Sequence, residues 1–265
     1  MGGSLSRQDR LGQVPSEIAA HILLLRDDAL VLNKPAGLAT HRGPRGGASV
    51  EDWLPALQMG RRHLPQPAHR LDQDTAGCLV LGRTKPALAA LGGLFAKGLA
   101  AKTYWAVAQG GPAEDAGEIA LPIRKISTRE KGWRMEAHSD GLASLTRWRC
   151  LGRGAGMAWL ELAPQTGRTH QLRVHCAAMG WPILGDPLYG AGGAGGLHLL
   201  ARAIALRGPS SSMPSSPNKS PDSIRASMLS RLSSGLLPMA MAMRPLSTTN
   251  SASGTSPSLN KTSPR

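Results

Sequence analysis

The chain has 265 residues, of which 31 Lys and Arg stand against 17 Asp and Glu for a formal charge of +14; 41% are hydrophobic, and the aromatics are 6 Trp, 2 Tyr and 1 Phe. Such a chain is too apolar to be wholly disordered and long enough for one large domain or two small ones, and its positive excess suits a solvated polyanion as partner. No apolar run approaches the roughly 20 residues that span a bilayer, the opening MGGSLSRQDR has no apolar core behind its charges, and Cys78, Cys150 and Cys176 lack CxxC spacing. A cytoplasmic protein with free thiols, and with no disulfide frame, zinc knuckle or membrane span, is therefore expected.

In chain order, residues 1–20 read as an N-terminal extension. Ala29 to Asn33, Cys78 to Gly82, Thr103 to Ala108 and Ala158 to Leu162 have strand character, separated by Gly and Pro punctuation and a few helical stretches. If 102–110 is extended, Tyr104, Ala106 and Ala108 share one face and Trp105 and Val107 the other, so Tyr104 can point into a site while its neighbours pack. Between 111 and 157, Arg124, Lys125, Arg129, Lys131, Arg134, Arg147, Arg149 and Arg153 suggest a basic surface. The segment 169–179 puts Leu172, Cys176 and Met179 at helical spacing, with His170 and Arg173 on an adjoining face. A helix that packs on one side and presents basic groups on the other is expected there, with Thr169 as N-cap. The free N–H groups of its first turn and Arg168 can meet a phosphate.

From residue 208 the composition changes: the last 58 residues hold 17 Ser and 8 Pro, six basic residues, one acidic residue and no aromatic. Residues 208–265 are expected to be a basic tail that is disordered or else non-native. The organised body is 1 to about 207, with the matched domain expected over 21–207 and no repeat of fixed period. His170, His175 and Cys176 do not have the spacing of a zinc site. The run Gly190-Ala-Gly-Gly-Ala-Gly-Gly196 lacks the Lys and Ser or Thr of a phosphate-binding loop, since Leu197 and His198 follow it. Neither a metal nor a nucleotide cofactor is implied.

The sharpest feature is His69-Arg-Leu-Asp-Gln-Asp-Thr-Ala-Gly77, which sets two carboxylates and an Arg on a loop at the mouth of a strand. Taken alone, Asp72 is more often a turn or capping residue than a nucleophile. Three more blocks accompany it: Val31-Leu-Asn-Lys-Pro-Ala-Gly-Leu-Ala-Thr-His41, Lys102-Thr-Tyr-Trp-Ala-Val-Ala-Gln-Gly110, and Pro164-Gln-Thr-Gly-Arg-Thr-His-Gln-Leu-Arg-Val-His175, which runs on through Gly180 to Gly190. Together, in this order, the four blocks resemble the RluA-type RNA pseudouridine synthases.

The resemblance implies an α+β pseudouridine synthase fold, a mixed, mostly antiparallel sheet with a central cleft. It also implies that Asp72 is the catalytic aspartate, Tyr104 the active-site tyrosine and Arg173 the basic partner that holds Asp72 ionised. His69, Arg70, Arg168, His170 and Gln171 are implied as substrate-binding residues, Arg70 and His69 by filling the gap left by a flipped base. A monomer acting on rRNA or tRNA without cofactor follows from the same likeness. Ala76 stands where the family often has Ser. Leu197-His-Leu-Leu-Ala201 resembles a block after which members continue with an apolar strand, a His-Pro pair and a closing element, whereas here the chain turns to Ser and Pro, so that terminal strand is expected to be missing. Two other readings remain: a catalytically silent RNA-binding protein, and a glycosidase pairing Asp72 with Asp74.

Overall fold

The computed structural model describes residues 7–44, 46–129, 132–193, 195–207, 223–227 and 244–245. The described residues open with two short helices, α1 (Arg7–Leu11) and α2 (Ser16–Ala19), and then the hairpin of β1 (Ile22–Leu25) and β2 (Ala29–Lys34). A 3-10 turn at Val50–Trp53 leads into α3 (Leu54–Leu57), followed by β3 (Gln66–Pro67) and β4 (Ala76–Gly82). After α4 (Lys85–Ala96) come β5 (Ala100–Gln109), β6 (Ala116–Ile119), the hairpin of β7 (Ile123–Thr128) and β8 (Gly132–Ala137), β9 (Thr146–Gly154) and β10 (Met157–Pro164). Helix α5 (Gln171–Ala178), β11 (Leu199–Arg207), β12 (Ser223–Ser227) and β13 (Arg244–Pro245) complete the described elements.

Among the described residues, one large sheet runs in the order β1-β2-β4-β11-β5-β10-β9-β13, with β3 added to β4, β6 to β9 and β12 to β11. Every pairing is antiparallel except β4 with β11. The hairpin β7–β8 forms a separate two-stranded sheet. This is the α+β, mostly antiparallel architecture the motif blocks imply.

The sheet buries both faces, which is why β2 and β4 are continuous apolar runs rather than alternating ones. On one face Leu30, Leu32, Leu79 and Leu81 pack with Val50, Leu54 and Leu57. On the other, Val31, Cys78 and Val80 pack with Leu91 of α4 and with Ile204 and Leu206 of β11. Further along, Ala106, Ala108, Leu160 and Leu162 meet Leu172 and Cys176 of α5. Tyr104 packs against the first and the last of these clusters, so it stands where the two halves of the sheet meet. The N-terminal extension belongs to the core: Val14 is buried, and Leu11, Ile18 and Ala19 pack on the same cluster as Leu57.

Two expectations change. The apolar strand expected to be missing is present, because Leu199–Arg207 forms β11 and is inserted between β4 and β5. Its side chains enter all three clusters, so the segment that includes and follows the Leu197–Ala201 block is the strand that joins the halves of the sheet. The composition change at 208 falls mostly outside the described residues, but Ser223–Ser227 pairs with β11 and buries Ile224 and Ala226. Helix α5 also differs: Arg173 is buried instead of facing solvent, and the N-cap is His170 in a left-handed conformation, not Thr169.

The parallel pair β4–β11 is close enough to explain Gly77, the last residue of the 69–77 loop. Its φ is +115°, and a Cβ there would lie 2.3 Å from the carbonyl oxygen of Ala201. That neighbour is backbone and cannot rotate away. Gly77→Ala is expected to cost about 3 kcal/mol or more, read as a lowered urea midpoint or loss of soluble protein.

Candidate active site

The 69–77 loop is held from below by residues of the first motif block. The Lys34 ammonium is fully buried and donates to the carbonyls of Pro35, Leu38 and Gln73 at 2.8, 2.6 and 2.9 Å. Burial pushes its pKa down to about 8, with the charges of Asp74 and Asp72 opposing, so near neutrality it remains largely a cation with three acceptors. Thr40 closes a second clamp: its hydroxyl donates to the Leu71 carbonyl at 2.8 Å and accepts the Leu71 N–H at 3.1 Å. The turn itself is closed by the Thr75 N–H on the Asp72 carbonyl. Buried Leu71 points into the core, and its neighbour Asp72 emerges on the other side with 22% of its side chain exposed.

Asp72 opens onto a cleft of about 690 Å³ whose walls include Arg70, Lys102, Tyr104, Arg168, His170 and Arg173. Tyr104 lies on β5, the strand next to β11. Burial and the charge of Asp72 both push its phenol pKa upward, so the hydroxyl stays protonated across the working range. Lys102 donates to the Thr166 carbonyl at 3.2 Å, and burial lowers its pKa. Arg70 is exposed at the rim, and exposed Arg168 donates to the Ala143 carbonyl.

The other expected site residues are placed differently. Arg173 is not hydrogen-bonded to Asp72: its Nε and Nη2 both donate to the carboxylate of Asp186 at 2.7 Å. Asp186 is fully buried and also accepts the N–H groups of Leu188 and Tyr189. A planar guanidinium finds a better match in this fixed bidentate carboxylate than in the partly exposed Asp72, although the charge of Asp72 still acts on it. Gln171 is buried with its amide saturated. The oxygen accepts from the Thr166 hydroxyl and the Arg168 N–H, and the nitrogen donates to the Leu145 carbonyl and the Thr146 hydroxyl. It braces the 164–171 turn and has no capacity left for a base.

His69 turns inward, where its Nε2 accepts the Val80 N–H at 3.0 Å and its ring stacks on Phe95 at 4.4 Å. Burial pushes its pKa down to about 4, so it is a neutral structural group. His170 is the ring that faces Asp72, with Nε2 3.9 Å from Oδ2, and burial lowers its pKa. The basic surface of 111–157 is largely neutralised by pairs such as Arg124 with Glu136, Arg147 with Glu118, Arg149 with Glu161 and Arg153 with Asp115. All three cysteines are free and buried, and burial raises the Cys78 pKa to about 12. Among the described residues no group of His, Cys, Asp and Glu is arranged to hold a metal, and no helix is long and apolar enough to cross a membrane.

Sequence reasoning did not single out Lys34, Thr40, Asp186 or Tyr189. Each lies inside a motif block, and an interior Lys or Asp among apolar neighbours is the signal that points to a buried, paired charge.

Residues 28–178 match the family model described as RNA pseudouridylate synthase. An uncharacterized RNA pseudouridine synthase of Zymomonas mobilis is 41% identical over 66% of this chain and 80% of its own length. A ribosomal large subunit pseudouridine synthase D of the same organism is 32% identical over 66% of this chain and 57% of its own. Among solved structures, human RNA pseudouridylate synthase domain containing 4 superposes with a TM-score of 0.61 and 27% identity, covering 75% of this chain and 87% of that one. The fold is that of a pseudouridylate synthase domain. The chain belongs to the RNA pseudouridine synthase family and is of the RluA type.

Two expectations follow from the loop supports. Lys34→Met leaves three buried carbonyls without their donor and is expected to cost about 3 kcal/mol, seen as a lowered urea midpoint together with reduced turnover. His69 has a folded pKa below its unfolded value, so the unfolded chain takes up its proton first as the pH falls. Stability from this group is complete above pH 6.5 and is lost progressively toward pH 4, up to about 3 kcal/mol. Denaturant titrations at pH 7 and pH 4 are expected to show a smaller difference for His69→Gln than for the unmodified chain, with His175, also buried and lowered, contributing equally to both.

Proposed function

We propose that this chain isomerises one or more uridines of a structured rRNA or tRNA to pseudouridine, with Asp72 as the catalytic carboxylate. The observation that carries the reading is the position of Asp72: the loop around it is clamped by Lys34 and Thr40, and among the described residues that line the cleft beside Tyr104 it is the one carboxylate. A cleft of about 690 Å³ accommodates a single extruded nucleotide.

The reaction breaks the N1–C1′ bond, rotates the uracil while it is held and joins C5 to C1′; the C5 proton leaves and N1 regains one, so there is no net oxidation. Ionised Asp72 either attacks C1′ or removes the 2′ proton to give a glycal, and both routes need a carboxylate beside developing positive charge on the sugar. Tyr104, kept as a neutral phenol, offers a ring to stack on the displaced uracil and a hydroxyl near C5. Arg70, exposed at the rim, fills the space the uridine vacates, and Lys102 and Arg168 supply positive charge for the flanking phosphates. The relative named for the ribosomal large subunit favours rRNA as the first substrate to test.

Incubation of the protein with total RNA, followed by carbodiimide-dependent reverse-transcription mapping, is expected to give stops that are absent with Asp72→Asn. Equal stops in both samples defeat the assignment, and binding without stops in either favours a silent RNA-binding protein. RNA affinity is expected to fall steeply and linearly in log salt, and Arg168→Gln is expected to reduce that slope by about one.

A further inference from the structure

His170 has three features that a substrate contact does not need. Its side chain is only 9% exposed, it takes a left-handed backbone conformation with φ +53°, and it is boxed between two aromatic rings. Trp133 of β8 stacks on it at 5.4 Å with an interplanar angle of 26°, and Tyr189 meets it edge-on at 5.7 Å. The Tyr189 hydroxyl lies 2.8 Å from Nδ1 and also accepts the Met135 N–H of β8 at 3.0 Å. A phenol oxygen that already accepts from Met135 has its own proton to donate, and Nδ1 is the acceptor within reach. In that tautomer the remaining proton sits on Nε2, the nitrogen that faces Asp72.

We propose that His170 is a positioning residue for Asp72: Tyr189 and the β7–β8 hairpin hold it as the Nε2–H tautomer, and that N–H orients the Asp72 carboxylate. This rests on the reading of Asp72 as the catalytic group. The separation of 3.9 Å is longer than a hydrogen bond, as catalytic contacts commonly are before substrate tightens them. Burial lowers the His170 pKa, with Arg173 and Arg70 acting in the same direction and Asp72 and Asp186 opposing, which favours the neutral ring the arrangement needs. Tyr189 is itself fixed by the Asp186 carboxylate, which accepts its N–H, and by the Arg173 guanidinium 5.1 Å from its ring centre. Arg173 thus reaches Asp72 through Asp186, Tyr189 and His170. The hairpin is coupled to the same ring: Trp133, which stacks on His170, also lies 5.3 Å from the Lys125 ammonium in a cation–π contact.

The test has two arms. In the first, 15N shifts of the His170 ring are recorded in the unmodified protein and in Tyr189→Phe: the Nε2–H tautomer is expected in the former and a tautomer mixture in the latter. A stable Nδ1–H tautomer or an imidazolium at pH 7 in the unmodified protein overturns the proposal, and this arm reads the same whether or not RNA is processed. In the second, single-turnover and steady-state rates are measured on the RNA fragment that the mapping identifies. Tyr189→Phe and Trp133→Ala are expected to lower kcat about ten-fold with KM changed less than about two-fold, and His170→Ala about a hundred-fold, with His170→Gln restoring part of the loss through its amide N–H. Unchanged kcat in Tyr189→Phe, or a change confined to KM, overturns the proposal. Absence of Asp72-dependent product from the unmodified protein is the separate signature that the functional reading has failed.

Discussion

The bidentate pair between Arg173 and Asp186 is the contact on which the architecture of the cleft depends. Both groups are almost completely removed from water, which is costly for any charge, and the cost is offset because every nearby donor is used: two guanidinium N–H groups and the N–H groups of Leu188 and Tyr189 converge on one carboxylate. The pair ties α5 to the 186–189 turn. From that turn Tyr189 reaches both the hairpin and His170, and from His170 the chain of contacts arrives at Asp72. A substitution that removed either charge would leave the other buried and unpaired, so the effect would spread across the whole wall of the cleft.

The opposite wall is built by a different device. Here the backbone of the 69–77 loop is gripped by single side chains from the β2 end of the fold, the Lys34 ammonium and the Thr40 hydroxyl, which satisfy carbonyls that a loop would ordinarily turn to water. Gly77 then lets the loop run into β4 at a distance from β11 that no side chain allows. Rigidity on both walls leaves the exposed cations at the rim, Arg70 and Arg168, as the elements with freedom to adapt to a nucleic acid.

How much of this was legible beforehand differs from residue to residue. The loop 69–77 and the strands 29–33, 78–82, 103–108 and 158–162 follow from local pattern, and the structure extends each of those strands by only a few residues. The face that Tyr104 shares with Ala106 also follows from period two. The inward placement of Arg173, Gln171 and His69 is not legible in the sequence, because Asp186, Thr146 and Val80, which hold them, lie 11 to 25 positions away along the chain. Gln171 bonds Thr146 across 25 positions and Lys34 bonds Gln73 across 39. Charge at a helix position gives no information on which side of the helix is covered, and α5 is covered on the side that carries Arg173.

The sequence by itself determined the family, the location of the 69–77 loop and the overall charge, because motifs and composition are local and additive. The tertiary structure decided which carboxylate takes which arginine, that the segment after Ala201 is an inner strand rather than a missing one, and that the ring nitrogen facing Asp72 belongs to His170. Those outcomes depend on burial, and burial is a property of what the rest of the chain brings alongside, competing for each polar group with water and with every other partner in reach.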